Sequence, residues 1–171
     1  MTEPSPVVVP PPSLDLPQSV FDLVENRPVE DMLLAILRRG LPEVPVVSLI
    51  ANNPPPHFIL IRRLSGLNEW SGDPRFTDSG RFFVHTFTQD PDGDYKGAVL
   101  SEAVRVILRT AWLEHWTIPG QGSVIQIQML SEPSRKTDWA TSSGPVQYAD
   151  LPNGYWRYES TYSIKIRKPQ S

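Results

Sequence analysis

Prolines decide where this chain can fold regularly. Pro4, Pro6, Pro10, Pro11, Pro12 and Pro17 all fall within the first 17 residues. Each fixes its own φ and removes a backbone donor, so Met1–Pro17 is poorly suited to a helix or a paired ladder and favours an extended, polyproline-type arm. Such a segment buries no core of its own: it reads either as a floppy tail or, as the Val7-Val8-Val9 run favours, as an arm that lies across a neighbouring subunit. The rest of the 171-residue chain is long enough for one domain with a real core and too short for two. The expected organisation is therefore an arm over residues 1–17 and one domain over residues 18–171.

The first regular unit runs from Pro28 to Arg39. Pro28 suits the first helical position, Glu30 and Asp31 occupy the first turn, Arg38 and Arg39 the last, and Gly40 follows. Val29, Met32, Leu33, Ile36 and Leu37 recur at three- and four-residue spacing, which makes one apolar face that needs a sheet to pack on. Val44–Ile50 and Phe58–Leu64 read as strands because they are aliphatic, β-branched and bounded by prolines. Ser65–Gly80 is punctuated by Gly66, Gly72, Asp73, Pro74 and Gly80 and reads as a long loop.

Arg81–Thr88 reads as a third strand, and Pro91-Asp92-Gly93-Asp94 supplies a turn and the cap of a helix that starts near Asp94 and runs to about Leu113. On that helix Tyr95, Val99, Ala103, Val106, Ile107 and Thr110 keep helical spacing, and Leu100, Val104, Leu108 and Ala111 widen the stripe. A stripe so broad implies contacts on two sides, the sheet and a neighbour. Ser123–Leu130 alternates Ile125, Ile127 and Met129 against Gln126 and Gln128. Tyr155–Arg167 alternates Trp156, Tyr158, Tyr162, Ile164 and Ile166 against charged residues. The last strand is long enough to offer an edge to another chain. Ser131–Gly154 reads as a second long loop. The expected fold class is α+β: a small, mostly antiparallel or mixed sheet with helices on one face.

Charge and residue types narrow the functions available. A net charge of −3 and a pI near 5.6 lack the basic footprint of a protein that neutralises many phosphates, so no specific nucleic-acid binding is expected. Arg62 and Arg63 beside Trp70 and Phe76 make one short patch, better suited to interface ion pairs. With no cysteine there is no disulfide framework, thiolate metal site or cysteine nucleophile. The first arginine is Arg27 and no apolar run is long enough to span a bilayer, so the chain reads as one made and kept in the cytosol or in a particle assembled there.

No constellation of catalytic residues stands out. His57, His85 and His115 fall in a loop, a strand and a helix end, without the spacing that brings two histidines onto one metal. Asp90, Asp92 and Asp94 resemble part of a calcium loop but lack its closing glutamate, and they serve as turn and cap residues. There is no phosphate-binding glycine loop and no nucleophile elbow, and Gly120-Gln121-Gly122 reads as a turn before a strand. No catalytic residue, metal or cofactor is assigned. A small enzyme or ligand-binding domain, with His85 or Tyr162 as the polar group of a pocket between sheet and helices, is the competing reading from another class.

The order helix, two strands, loop, strand, long helix and two strands resembles the tail terminator and neck proteins of tailed bacteriophages. The residues that carry the likeness are the helix ending Leu37-Arg38-Arg39-Gly40 before Val44-Pro45-Val46-Val47, and the strand Ile59-Leu60-Ile61-Arg62-Arg63-Leu64-Ser65-Gly66. The strand Phe82–Thr88 leading into the helix Ala98–Leu113 matches as well. The likeness extends from about Pro28 to Lys168; the proline-rich arm and the loop before Tyr155 are departures from the family's layout. It implies a virion protein of the neck, assembled in the host cytoplasm, with no enzymatic activity. Such a protein forms a hexameric ring on the major tail tube protein, ends tube polymerisation and meets the head-completion or stopper protein of the connector. A stopper protein of the neck itself is the close variant. Within that picture Arg62, Arg63, Trp70, Arg75, Phe76, Arg135, Lys136 and Trp139 are the expected interface residues, because arginine and aromatic side chains dominate interface hot spots.

Overall fold

In the computed structural model, which describes residues 17–21, 29–64, 76–136 and 154–169, the strands form one six-stranded mixed sheet. The strands are β1 (Val46–Val47), β2 (His57–Arg63), β3 (Thr77–Gln89), β4 (Thr117–Ile118), β5 (Gly122–Lys136) and β6 (Tyr155–Arg167), in the order β1-β2-β3-β6-β5-β4. Only β1 and β2 run parallel; every other pair is antiparallel. The helices are α1 (Gln18–Phe21), α2 (Val29–Gly40) and α3 (Gly93–Leu113). The α+β class expected from the sequence is the class observed.

The core lies between one face of the sheet and both longer helices. α2 contributes Val29, Met32, Leu33, Ile36 and Leu37, all fully buried, as the periodicity and the acidic-first, basic-last charge pattern predict. Its end is pinned by Arg38, which donates from Nη2 to Val46 O at 2.8 Å and from Nε at 3.2 Å. From the sheet come Ile59, Ile61, Phe82, Val84, Tyr162, Ile164 and Ile166. Their register places them together: Ile61 lies opposite Val84, and Phe82 opposite Tyr162.

Several elements differ from the sequence reading. Only Val46–Val47 of Val44–Ile50 pairs, because Pro45 lacks a donor and the chain bends away directly after Val47. Thr77–Gly80, read as loop, belongs to β3, where pairing along all of β6 overrides the turn-prone residues. Ser131–Lys136, also read as loop, extends β5 through two irregularities that take up Pro133. His57 opens β2 and is not in a loop. Nor is the last strand an edge, since β6 lies between β3 and β5.

A bulge between Val124 and Gln126 shifts the phase of β5. The expected alternation placed Ile125, Ile127 and Met129 inward; instead Val124 and Ile127 are buried, Ile125 is half-buried and Met129 is largely exposed. Gly122 makes the adjoining hairpin possible: its φ is +124°, and a Cβ there would stand 2.2 Å from Arg167 O. Ile127→Ala is therefore expected to cost about 2–5 kcal/mol in urea denaturation, and Ile125→Ala clearly less. Equal losses would contradict the bulge.

Candidate protein-interaction surface

α3 approaches the sheet through its small residues. Gly93, Gly97, Ser101, Val104, Leu108 and Ala111 are buried. Added Cβ atoms would stand 2.2 Å from Trp156 Cδ1 at Gly93 and 2.8 Å from Tyr158 Cδ2 at Gly97. Hydrogen bonds fix the approach: Thr88 Oγ1 donates to Gly93 O at 2.5 Å, and the Thr86 and Ser101 hydroxyls lie 2.7 Å apart. Asp90 Oδ1 accepts from Gly93 N at 3.3 Å and Trp156 Nε1 at 2.9 Å, so Asp90 supplies the side-chain acceptor that the N-cap residue Asp92, at a left-handed φ of 59°, does not. At the other end, with His115 left-handed, Trp116 N donates to Ala111 O and His115 N to Trp112 O, a Schellman closure.

Opposite this buried face, four large apolar residues face out. Tyr95 is 73% exposed, Val99 50%, Val106 48% and Leu113 60%. At 100° per residue these four lie along one line, opposite the buried face and roughly 27 Å long. The two-sided stripe expected from the sequence is thus sorted. Val104, Leu108 and Ala111 meet the sheet, and Tyr95, Val99 and Val106 face away from it. Large apolar side chains exposed along one helix face, here spaced by Glu102 and Arg109, make a candidate interaction surface.

A groove runs beside α3. Its flank residues Ala98, Glu102 and Arg105 face Met129 and Pro133 of β5 and Tyr158 of β6 around a cavity of about 380 Å³. A second cavity of about 150 Å³ continues along Arg105 and Met129 to Leu108, Trp112, Ile127 and Tyr162. Glu102 and Arg105 pair through two hydrogen bonds on the groove wall. The Tyr158 hydroxyl donates to Asp94 Oδ1 at 2.6 Å, which raises its pKa. Burial raises that of Tyr162, partly offset by the Ser160 hydroxyl.

The opposite face of the sheet carries a different environment. Phe58 and Phe87 stack at 4.7 Å, Tyr155 meets Phe58 edge-on, and the Tyr155 hydroxyl donates to Pro54 O and Pro55 O. Beside them Glu159 lies 3.4 Å from His85 Nδ1, 3.4 Å from Lys136 Nζ and 3.9 Å from Arg157 Nη2. Burial, followed by the charges of Arg157, Arg62 and Lys136, lowers the His85 pKa from 6.5 to about 3. His85 is therefore neutral in the fold. His85 and Tyr162 sit on opposite faces of the sheet; Tyr162 lines the smaller cavity between α3 and the sheet, whereas His85 faces away from it.

The expected interface residues do not form one patch. Arg62 is half-buried near His85, Arg63 is exposed at the end of β2, and Phe76 is 58% exposed beside the end of β6. Arg135 and Lys136 lie at the opposite end of the sheet, bound to Asp94 and Glu159. Trp70, Arg75 and Trp139 lie outside the described residues, as do most of the two long loops. The stronger candidates are the outward residues of α3. The signal for them was present in the sequence: small residues at 93, 97 and 101 marked the side that had to reach the sheet. Among the described residues there is no group of three metal-ligating side chains and no helix long and apolar enough to cross a membrane. Asp90 and Asp94 are engaged as cap and ion-pair residues. No protein-family model and no curated protein matches the chain.

The His85 environment sets a pH dependence. The unfolded chain takes up a proton below pH 6.5, whereas the folded chain resists it down to about 3. Stability is therefore lost as pH falls through that window, by up to about 1.4 kcal/mol per pH unit. In denaturant titrations between pH 4 and 6.5, His85→Gln is expected to flatten the slope by about that amount. An unchanged slope would contradict the assignment.

Proposed function

We propose that this chain is a structural protein of a phage neck: it forms a sixfold ring at the head-proximal end of the tail tube, ends tube polymerisation and joins the tail to the head connector. The observation that carries this reading is the outward stripe Tyr95, Val99, Val106 and Leu113 on α3, an apolar surface the domain leaves uncovered among its described residues. A ring subunit needs a heterologous interface whose rotation closes, with separate surfaces for the partners above and below. The α3 stripe and the sheet edge at β5 are two such surfaces on one small domain. The element order, with helix, strands, long helix and strands on one sheet, supports the reading through its resemblance to tail terminator proteins.

Electron microscopy of polymerising tail tubes mixed with the protein tests this. The expected result is a cap on one tube end and arrested elongation, both lost in Val99→Lys/Val106→Lys while circular dichroism stays unchanged. Tubes that elongate uncapped with the unaltered protein would overturn the proposal.

A further inference from the structure

Among the described residues, the outer edge of β5 is open over a short and well-defined stretch. β4 covers Gly122 and Ser123, and Val124 N donates to Trp116 O. At the far end Pro133 and the irregularities between Met129 and Ser134 blunt the strand. Between them Gln126–Met129 pairs regularly with β6 on its inner side, and nothing among the described residues pairs with its outer side. Directly over this stretch, Ile127 and Met129 open into the groove beneath α3. A strand edge beside a helix-walled groove is the geometry of strand addition, in which backbone bonds supply affinity and alternate side chains fill the groove.

We propose that this edge takes the Val7-Val8-Val9 segment of a second copy of the chain. Val7–Val9 is the chain's only run of three consecutive β-branched residues, and such residues favour strands. Pro6 and Pro10 limit the pairing to three residues, short enough to fit within the open stretch of β5. Val7 and Val9 project to one side, roughly 6.6 Å apart, into the two cavities, and Val8 lies on the side of Gln126 and Gln128. The groove wall carries Arg105 and Arg109 balanced by Glu102 and Glu132, so the fit rests on shape and backbone pairing with an apolar segment. Val9 lies eight residues before Pro17 in the sequence, a reach of up to roughly 26–29 Å, enough to cross a subunit boundary. The inference concerns association between copies and does not depend on what a ring caps.

Because the chain has no cysteine, full-length Val8→Cys and Gln128→Cys proteins carrying different mass tags can be mixed and mildly oxidised. The expected result is a mixed disulfide between copies, formed about tenfold or more faster than between Val8→Cys and Lys96→Cys, because pairing raises the effective concentration. Adding Val7→Asp/Val9→Asp to the Val8→Cys chain, outside the helix-and-sheet core, is expected to abolish the advantage. Crosslinking no faster than the Lys96→Cys control, or unaffected by the aspartates, would overturn the inference. Caps on tail tubes without the crosslink would sink this inference alone, and the crosslink without caps would sink the tail reading alone.

Discussion

The close approach of α3 to the sheet is the constraint on which the rest of the architecture depends. Gly93 and Gly97 let the first turns of the helix rest on Trp156 and Tyr158, and the Thr86–Ser101 and Thr88–Gly93 hydrogen bonds hold that contact. The first turns of a helix so placed cannot also bury large side chains on that face, and only farther along do Val104 and Leu108 do so. Packing through small residues gains a short interaxial distance and satisfied polar groups, and it turns Tyr95, Val99, Val106 and Leu113 outward. The same placement suspends the Ala98–Trp112 flank over β5 and so creates the groove. The uncovered stripe and the groove are therefore consequences of one packing decision.

How legible this was in the sequence follows from which interactions are local. α2 could be read closely, because capping charge, a flanking proline and glycine, and a regular apolar stripe all agree over one short segment. The main strands and the turn before β5 were legible for the same reason. Ile125 shows what was not: the alternation was visible, but the bulge that reverses its phase depends on pairing with Ile166 and Lys165, some forty residues away. The ends of β3 and β5 were missed because turn-prone residues such as Gly80 and Pro133 are overruled by a long partner strand. On α3 the stripe was visible; its direction was hidden because hydropathy weights large residues and close packing selects small ones.

The site fared less well than the fold. Arginine and aromatic type alone selected Arg62, Arg63, Phe76, Arg135 and Lys136, yet these divide between two ends and two faces of the sheet. Arg62 and Lys136 instead contribute to the charge around His85, where one carboxylate, Glu159, is shared by several cationic groups. That cluster tunes stability against pH on the face away from α3. The sheet thereby separates a face that carries an aromatic cluster and the charged surroundings of His85 from the side that carries the exposed apolar helix, the asymmetry a subunit with distinct neighbours requires.

The most direct test of the account is the solution mass of the full chain by sedimentation equilibrium, compared with that of a Val106→Lys/Leu113→Lys variant. The account predicts that the native chain associates well above its 19.3 kDa monomer mass and that the two lysines return it toward the monomer with helix content unchanged. A native chain that stays at the monomer mass at every concentration, or an assembly indifferent to the lysines, would contradict the claim that the outward face of α3 is an association surface.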